Sequence, residues 1–413
     1  MTTDTDTSRA CGQPPRPDPH PPTSRRWMWF AAWPVVVALA LSNEPAPLYV
    51  VWQDRLGFSA ATLTLIYAFY VVGLLGTLIG AGSLADRIGR RPVLLPGLAL
   101  GIVAAALFAT ADSVPALALA RTLSGVTVGA FLSAGLAAVS DLAPAGSKRL
   151  GGLVASASMV GGAALGPMLS GILSETLPGP TVGVFVLQIA LLVTAFPVVL
   201  RMPLHRPAAH VAGTGRPRIP SAPRPHRRGL LLGLGVFAPA ITATGFVLSL
   251  GPSLLADLLH TSNRTVAGGT IFILFAAATG VQFAARGLTV PTLFRLGATL
   301  TVSGMTTLIL AVPTGSVTLV LVAAVLAGLG QGSAQLGALG TLSSRIPSAR
   351  LAEANAALTA GGYLMAGALP VGAGYLSDAV GLAAGTTAFG VTVAILVTAG
   401  AVAATTGSRA TAS

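Results

Sequence analysis

The chain has 413 residues, of which 53% are hydrophobic and only 9% charged, and its mean hydropathy is +0.79. An ordinary soluble domain carries about 25% charged residues, so this composition excludes a soluble globular protein of this length. The apolar runs are continuous and do not alternate with polar residues, which excludes a transmembrane barrel of β-strands. The sequence therefore predicts an all-α integral membrane protein.

Apolar runs long enough to cross a bilayer, at about 20 residues per helix, occur throughout the chain. The predicted spans are 27–51, 60–82, 93–111, 115–141, 150–174, 181–201, 229–256, 265–285, 289–312, 315–343, 353–376 and 381–405. These twelve spans divide into an N-terminal six-helix bundle over 27–202 and a C-terminal six-helix bundle over 229–405.

Three polar segments border the two predicted bundles. Residues 1–26 are rich in Pro and Thr and too poor in apolar residues to fold alone, so we expect a disordered cytoplasmic tail. Residues 203–228 form a basic cytoplasmic linker, and residues 406–413 a second cytoplasmic tail. Cys11 is the single cysteine, which leaves no disulfide framework.

The distribution of basic residues predicts the orientation. With both termini in the cytoplasm, 21 of the 24 Lys and Arg residues fall in cytoplasmic segments, as positively charged inner loops require. The net charge of +12 then reflects this orientation and attraction to anionic lipid. The basic residues are spread over every inner loop without interleaved aromatic residues, so nucleic-acid binding is not expected. One lysine against 23 arginines indicates a bacterial source of high GC content, hence the plasma membrane.

The two halves repeat one another at a fixed offset of 203 residues. The identical pairs are Gly125 and Gly328, Gly129 and Gly332, Pro144 and Pro347, Pro167 and Pro370, Gly171 and Gly374, and Ser174 and Ser377. Glu175 and Asp378 share this offset and their negative charge. A duplicated half is typical of transporters whose substrate site lies between two bundles near the bilayer midplane.

Four charges are packed into the stretch Gly82-Ser-Leu-Ala-Asp86-Arg87-Ile-Gly89-Arg90-Arg91-Pro92, which we interpret as a tight cytoplasmic turn between spans 2 and 3. It resembles the signature loop of the major facilitator superfamily. The resemblance implies a monomeric transporter whose loop forms a conformational latch for the outward-facing state. In this latch Asp86 meets the start of span 11 near 351–355, and Arg87 or Arg90 approaches Asp141. The latch residues are Gly82, Asp86, Arg87, Gly89, Arg90, Arg91 and Asp141.

Two further stretches carry the same resemblance. Leu117-x-x-x-Arg121-x-x-Ser124-Gly125-x-x-x-Gly129-Ala130 is similar to the fourth-helix motif of the superfamily. Gly162-x-x-x-Gly166-Pro167-x-x-Ser170-Gly171 resembles the fifth-helix signature of its twelve-helix drug/proton antiporter group, with Ser170 in place of a glycine. Two interpretations of this helix stay open. The small residues serve tight packing and a kink, or the kink lets the bundles rock while the helix seals a proton leak.

Glu44 and Arg121 are the predicted proton-coupling residues. Glu44 lies within span 1 beside Pro45 and Pro47, and Arg121 lies within span 4 at a similar depth. A charge at membrane depth costs about 2.5–3.5 kcal/mol, so each should face a cavity or a partner. We therefore expect the two side chains to pair. The alternative is that Glu44 is a hydrated acid at the membrane interface.

Polar side chains within the spans are the candidates for a substrate cavity. Asn43 precedes Glu44, and Gln331 and Gln335 stand one turn apart on one face of span 10. The same glutamines would also suit hydrogen bonding between helices. Gln188, Gln282, Asn355 and Tyr363 are expected to serve packing.

The sequence gives no sign of an enzyme. It has no Gly-Lys-Ser/Thr phosphate loop and no nucleotide-binding domain, and its serines and histidines are isolated from acids, so neither a cofactor nor a metal site is expected. The resemblance implies proton-coupled efflux of a small amphipathic or drug-like molecule by alternating access. A proton-coupled importer of a small metabolite is the alternative, and a non-transporting membrane sensor is a third interpretation.

Overall fold

The computed structural model describes residues 25–144, 146–204, 227–259 and 263–409, and the regular structure in these ranges is helical. The α-helices are α1 Arg25–Asn43, α2 Tyr49–Leu56, α3 Ala60–Ile88, α4 Arg91–Ala109, α5 Val114–Ala130, α6 Leu136–Asp141, α7 Lys148–Thr176, α8 Val182–Arg201, α9 Arg227–Ser249, α10 Gly251–Leu259, α11 Arg264–Ala284, α12 Val290–Thr314, α13 Val317–Arg345, α14 Ser348–Val380 and α15 Leu382–Arg409. Within the described ranges, 12 helical segments are long and apolar enough to cross a membrane, which confirms the predicted fold class. The predicted tail up to residue 24 and linker residues 205–226 lie outside the described residues.

Three of the predicted spans are not continuous α-helices. Span 1 consists of α1, a 3₁₀ turn over Ala46–Leu48, and α2, because Pro45 and Pro47 lack the N–H groups that would continue the helix. Span 4 consists of α5, a π-helical segment over Phe131–Gly135, and α6. Span 7 consists of α9 and α10, which meet at Leu250.

The tight turn predicted over 82–92 is shorter than expected. Helix α3 continues through Gly82, and the chain turns only at Gly89, whose φ of 94° is a conformation that favours glycine. A single glycine inside a helix costs only about 1 kcal/mol relative to alanine, which the flanking residues of this long helix override. The turn of the signature loop is therefore the short link at Gly89 and Arg90.

The last helix also extends beyond its expected end. Helix α15 runs to Arg409, so residues 406–409 of the predicted cytoplasmic tail are helical. Helix α14 similarly covers 348–380, where 353–376 was expected. Hydropathy marks where a chain leaves the apolar layer, and a helix can continue past that point because its backbone hydrogen bonds are internal.

The two halves are built alike. In the N-terminal half α1 packs on α7, α3 on α5 and α4 on α8, and in the C-terminal half α9 packs on α14, α11 on α13 and α12 on α15. The largest contacts between the halves are those of α3 with α14 and of α7 with α11, and α2 also meets α10. This arrangement reproduces the six-helix repeat that the sequence predicts at an offset of 203 residues.

Glycines bring the paired helices into close contact. A Cβ added at Gly125 of α5 would collide with the Tyr70 carbonyl of α3, and one added at Gly328 of α13 with the Leu274 carbonyl of α11. Lipid provides no hydrophobic drive for helix association, so small residues that allow close backbone approach hold such pairs together. The repeated glycines of the sequence therefore mark equivalent helix contacts in both halves.

Candidate functional site

The centre of the N-terminal half is organised by the break in span 1. Helix α1 ends at Asn43, and the amide of Glu44 makes the last helical bond, to the Ala40 carbonyl at 3.1 Å. Pro45 and Pro47 have no N–H to offer to the Leu41 and Asn43 carbonyls, and the Ser42 carbonyl also makes no helical bond because the chain leaves the helix before Ala46. The break therefore exposes carbonyl oxygens inside the protein, where another donor has to bind them.

Arg121 of α5 supplies that donor. Its Nη1 donates to the Ser42 carbonyl at 2.6 Å and its Nε donates to the Tyr49 hydroxyl at 2.5 Å. The side chain is only 1% exposed. A cation at the C-terminus of a helix is favoured by the partial negative charge of the helix end. Arg121 thus joins α5 to both sides of the break, α1 through Ser42 and α2 through Tyr49.

Aromatic rings surround the guanidinium group of Arg121. The guanidinium carbon lies 5.1 Å from the ring centre of Tyr49, 5.8 Å from Tyr70, 5.8 Å from Phe108 and 6.0 Å from Tyr67. Aromatic faces attract cations within about 6 Å, and more strongly when water is excluded. These four rings belong to the site but were not predicted as such, although Tyr67 and Tyr70 at helical spacing in an apolar span were a usable signal.

The predicted ion pair between Glu44 and Arg121 is not formed in this structure. Glu44 is 5% exposed and its Oε2 has no hydrogen-bond partner among the described residues. The ion pairs found in the described part of the chain involve other residues, and the guanidinium donors instead serve Ser42 and Tyr49. Matching depth was a sound argument, but the helix break brings neutral oxygens closer to Arg121 than the carboxyl group.

The predicted cavity residues each have a partner. Asn43 donates from Nδ2 to the Ala163 carbonyl of α7 at 3.2 Å. Gln331 accepts from Thr244 of α9 at 3.2 Å. Gln335 accepts from Gln282 at 3.2 Å. These bonds join neighbouring helices, and a role in substrate binding stays a prediction.

The signature loop is held to the end of the fourth span. Arg90 forms an ion pair with Asp141 at 2.7 Å and donates to the Ala134 carbonyl in the π-helical segment at 3.5 Å. This confirms the expected approach to Asp141 for Arg90, while the Arg87 side chain is exposed. Arg91 donates to the Met202 carbonyl at the end of α8. The Asp86 side chain lies outside the described residues, so its contact with α14 stays a prediction, as does the latch.

The glycines of the fifth-span motif lie at helix crossings. A Cβ at Gly162 would meet the Val36 carbonyl of α1, and one at Gly166 the Ala40 carbonyl. Gly171 lies against the Arg264 carbonyl of the other half, where a Cβ would come within 2.5 Å. Pro167 lies inside α7, and its carbonyl in turn faces Gly268 of α11. The motif therefore provides close packing on two sides of α7, within its own half and across the halves.

Several curated proteins are similar to part of this chain. The multidrug efflux pump LfrA of Mycolicibacterium smegmatis is 34% identical over 156 residues, 35% of this chain and 30% of the pump. The multidrug resistance protein MdtL of Shewanella oneidensis is 29% identical over 161 residues, covering 38% and 39% of the two chains. The quinolone resistance protein NorA of Staphylococcus aureus is 26% identical over 148 residues, covering 36% and 37%. The matches thus span between about a third and two fifths of these relatives.

Solved structures share the fold over nearly the whole chain. A bacterial homologue of the human lysosomal transporter Spinster has a TM-score of 0.70 at 13% identity, covering 92% of this chain and 96% of that one. The nucleoside transporter NupG has a TM-score of 0.70 at 12% identity, with 91% and 99% covered. The sequence of residues 25–292 matches the family model of the Major Facilitator Superfamily. The chain therefore belongs to the Major Facilitator Superfamily, a family of multi-pass membrane transporters rather than enzymes.

Proposed function

We propose that this protein exports a small amphipathic or drug-like molecule in exchange for protons. It would do so by alternating access, in a bacterial plasma membrane, with both termini in the cytoplasm. The observation that carries the proposal is the buried carboxyl group of Glu44 in the broken part of span 1. Glu44 directly follows Ser42, which binds Arg121, and Asn43, which binds α7. The partial similarity to multidrug efflux proteins supports export.

The break in span 1 suggests how a proton could be linked to movement. A buried ionised carboxylate is costly unless it is paired, so Glu44 would be neutral in this arrangement, where its Oε2 has no partner among the described residues. Deprotonation would create a charge that needs the guanidinium of Arg121. That group would have to leave the Ser42 carbonyl or the Tyr49 hydroxyl. Loss of the proton would therefore rearrange the contacts between α5 and span 1.

Import of a small metabolite is the second candidate, because an intramembrane acid and base suit either direction of proton-coupled transport. Glu44 and Arg121 would serve a symporter equally well. The two directions differ in the sign of the proton movement that accompanies substrate, so one measurement separates them. A non-transporting sensor would produce no substrate-dependent proton movement.

The test is substrate-induced proton flux in proteoliposomes with a pH-sensitive dye inside. The compound panel contains lipophilic cations, a quinolone and a nucleoside. We expect Glu44→Gln to abolish proton movement while substrate binding remains measurable by isothermal titration. Asp54→Asn is the matched control, since Asp54 is an exposed acid ten residues along the same span. Proton movement by Glu44→Gln at the unmutated ratio would place the coupling elsewhere.

A further inference from the structure

The two acids that share the 203-residue offset, Glu175 and Asp378, lie at the same end of the bundle. Glu175 is near the end of α7 and Asp378 near the end of α14, opposite the end that carries the signature-loop turn at Gly89. We call this the distal end. Each acid lies on one of the two helices that its half contributes to the main contacts between the halves.

Each carboxylate binds the first turn of a helix in the other half. Asp378 accepts from the amides of Ala60 and Ala61, the first two residues of α3, at 3.0 and 3.1 Å. Glu175 accepts from the amide of Arg264, the first residue of α11, at 2.8 Å. It also binds the Arg264 side chain in a bidentate pair, with distances of 3.0 Å to Nε and to Nη2.

The two arrangements share the same helix-capping plan, although Asp378 binds two amides and Glu175 binds one amide and the Arg264 side chain. Ser59 and Asn263 are the N-cap residues of α3 and α11, and their side chains accept from the amides of Thr62 and Val266. The first amides of each helix have no partner within the helix, and here a carboxylate from the opposite half binds them. A negative charge is also favoured at a helix N-terminus. Both helices therefore have a local cap and a second cap from the other half.

A glycine one turn before each acid allows the close approach. A Cβ at Gly374 would meet the Thr64 hydroxyl and the Ala60 carbonyl, and one at Gly171 the Arg264 carbonyl. Ser253 of α10 adds a bond to Gln53 of α2 at 2.7 Å between the halves. These contacts join the two halves at the distal end, which is the outer end if both termini are cytoplasmic.

We infer that Glu175 and Asp378 are two symmetry-related gate residues that hold the distal end closed. Alternating access requires this end to open, and opening would separate both carboxylates from the helix termini that they cap. The inference rests on the proposed alternating access. It assigns the repeated Pro-x-x-x-Gly-x-x-Ser-acid pattern a function: the glycine allows contact between halves and the acid binds the opposite helix.

The test measures opening directly, in lipid nanodiscs without substrate or a proton gradient. Spin labels at Arg55→Cys and Asp257→Cys, in a Cys11→Ser background, report the distance between α2 and α10, which are exposed at these positions and meet across the halves. We expect Glu175→Gln and Asp378→Asn each to raise the population with a long distance about fivefold, and the combined variant about 25-fold until the open state dominates.

Asp112→Asn is the matched control, because Asp112 is an exposed acid at the same end. An unchanged distance distribution in both single variants, or an equal rise in Asp112→Asn, would overturn the inference. The single variants carry the test if the combined variant fails to purify as a monodisperse protein. The distance measurement does not depend on transport. If the open population rises but the compound panel contains no transported compound, the result supports the gate and contradicts only the proposed function.

Discussion

Arg121 shows how a cation can be buried without a carboxylate. Two neutral oxygens and four aromatic rings surround its guanidinium, and the C-terminus of α1 adds a favourable dipole. The arginine in turn supplies a donor to the Ser42 carbonyl, which makes no helical bond where span 1 breaks. The residue is therefore structural as well as a candidate for coupling, and the two roles predict different responses to substitution.

We expect Arg121→Ala to lower stability by about 2 kcal/mol or more, since it leaves the buried Ser42 carbonyl without its donor and opens a cavity. Tyr49→Phe is the matched variant, because it removes one acceptor and retains the ring. Its cost should be nearer 1 kcal/mol. Thermal unfolding in detergent, followed by fluorescence-detected size exclusion, checks both. Equal midpoints for Arg121→Ala and the unmodified protein would show that Arg121 does not hold the break together.

Helix α7 shows what a glycine contributes to the packing of one helix on another. We expect Gly166→Ala to destabilise the protein by about 1–3 kcal/mol, because the added methyl group would collide with the Ala40 carbonyl of α1. Gly161→Ala on the same helix meets nothing within 4 Å and should be neutral or stabilising, by up to about 1 kcal/mol. The unfolding midpoint of purified Gly166→Ala should therefore fall, while that of Gly161→Ala should stay the same or rise. An equal loss of stability in both variants would mean that a methyl group added to α7 is destabilising for a reason other than contact with α1.

The segment between α5 and α6 gives Arg90 a second partner. A π-helical segment interrupts the usual hydrogen-bond pattern of a helix, and such segments often occur at functional sites. Arg90 reaches the Ala134 carbonyl in this segment while it pairs with Asp141 at the end of α6. The signature loop is thus attached to an irregular part of the fourth span, so a movement of the loop would act on the helix that also carries Arg121.

Sequence reasoning succeeded where the physical constraint is local or uniform along the chain. Hydropathy located the spans, because every crossing must satisfy the same apolar layer. The fixed offset found the repeat, and the resemblance to the signature loop predicted that Arg87 or Arg90 approaches Asp141, which Arg90 does. It did not predict the partners that Arg121 has in this arrangement, because depth along two helices does not determine which atoms face each other once Pro45 and Pro47 break the helix, and the coupling role of Glu44 and Arg121 stays a prediction. The four aromatic rings around Arg121 were not predicted, because they come from three different spans and only Tyr67 and Tyr70 share one.

Contacts at the two ends of the bundle should stabilise opposite conformational states of the transporter. The resemblance implies that the signature loop holds the state in which the distal end is open, whereas Glu175 and Asp378 hold the closed state. Helix α3 connects both ends, with Ala60 bound to Asp378 at one end and Asp86 near the other. The ends are roughly 40 Å apart at 1.5 Å per residue, so substitutions there should have independent energies.

We therefore expect Asp86→Asn to reduce the open population and Glu175→Gln to raise it. Combined, the two should return the distance between labels at Arg55→Cys and Asp257→Cys close to that of the unmodified protein. Turnover in proteoliposomes should fall in each single variant and recover partly in the combined one, since transport needs both states. Asp86→Asn combined with Asp112→Asn is the control and should show no recovery. If the signature loop and the distal gate oppose each other, the free-energy effects of Asp86→Asn and Glu175→Gln have opposite signs and should cancel in the combined variant. A combined variant that keeps the open population of Glu175→Gln alone would therefore show that the loop does not oppose the distal gate.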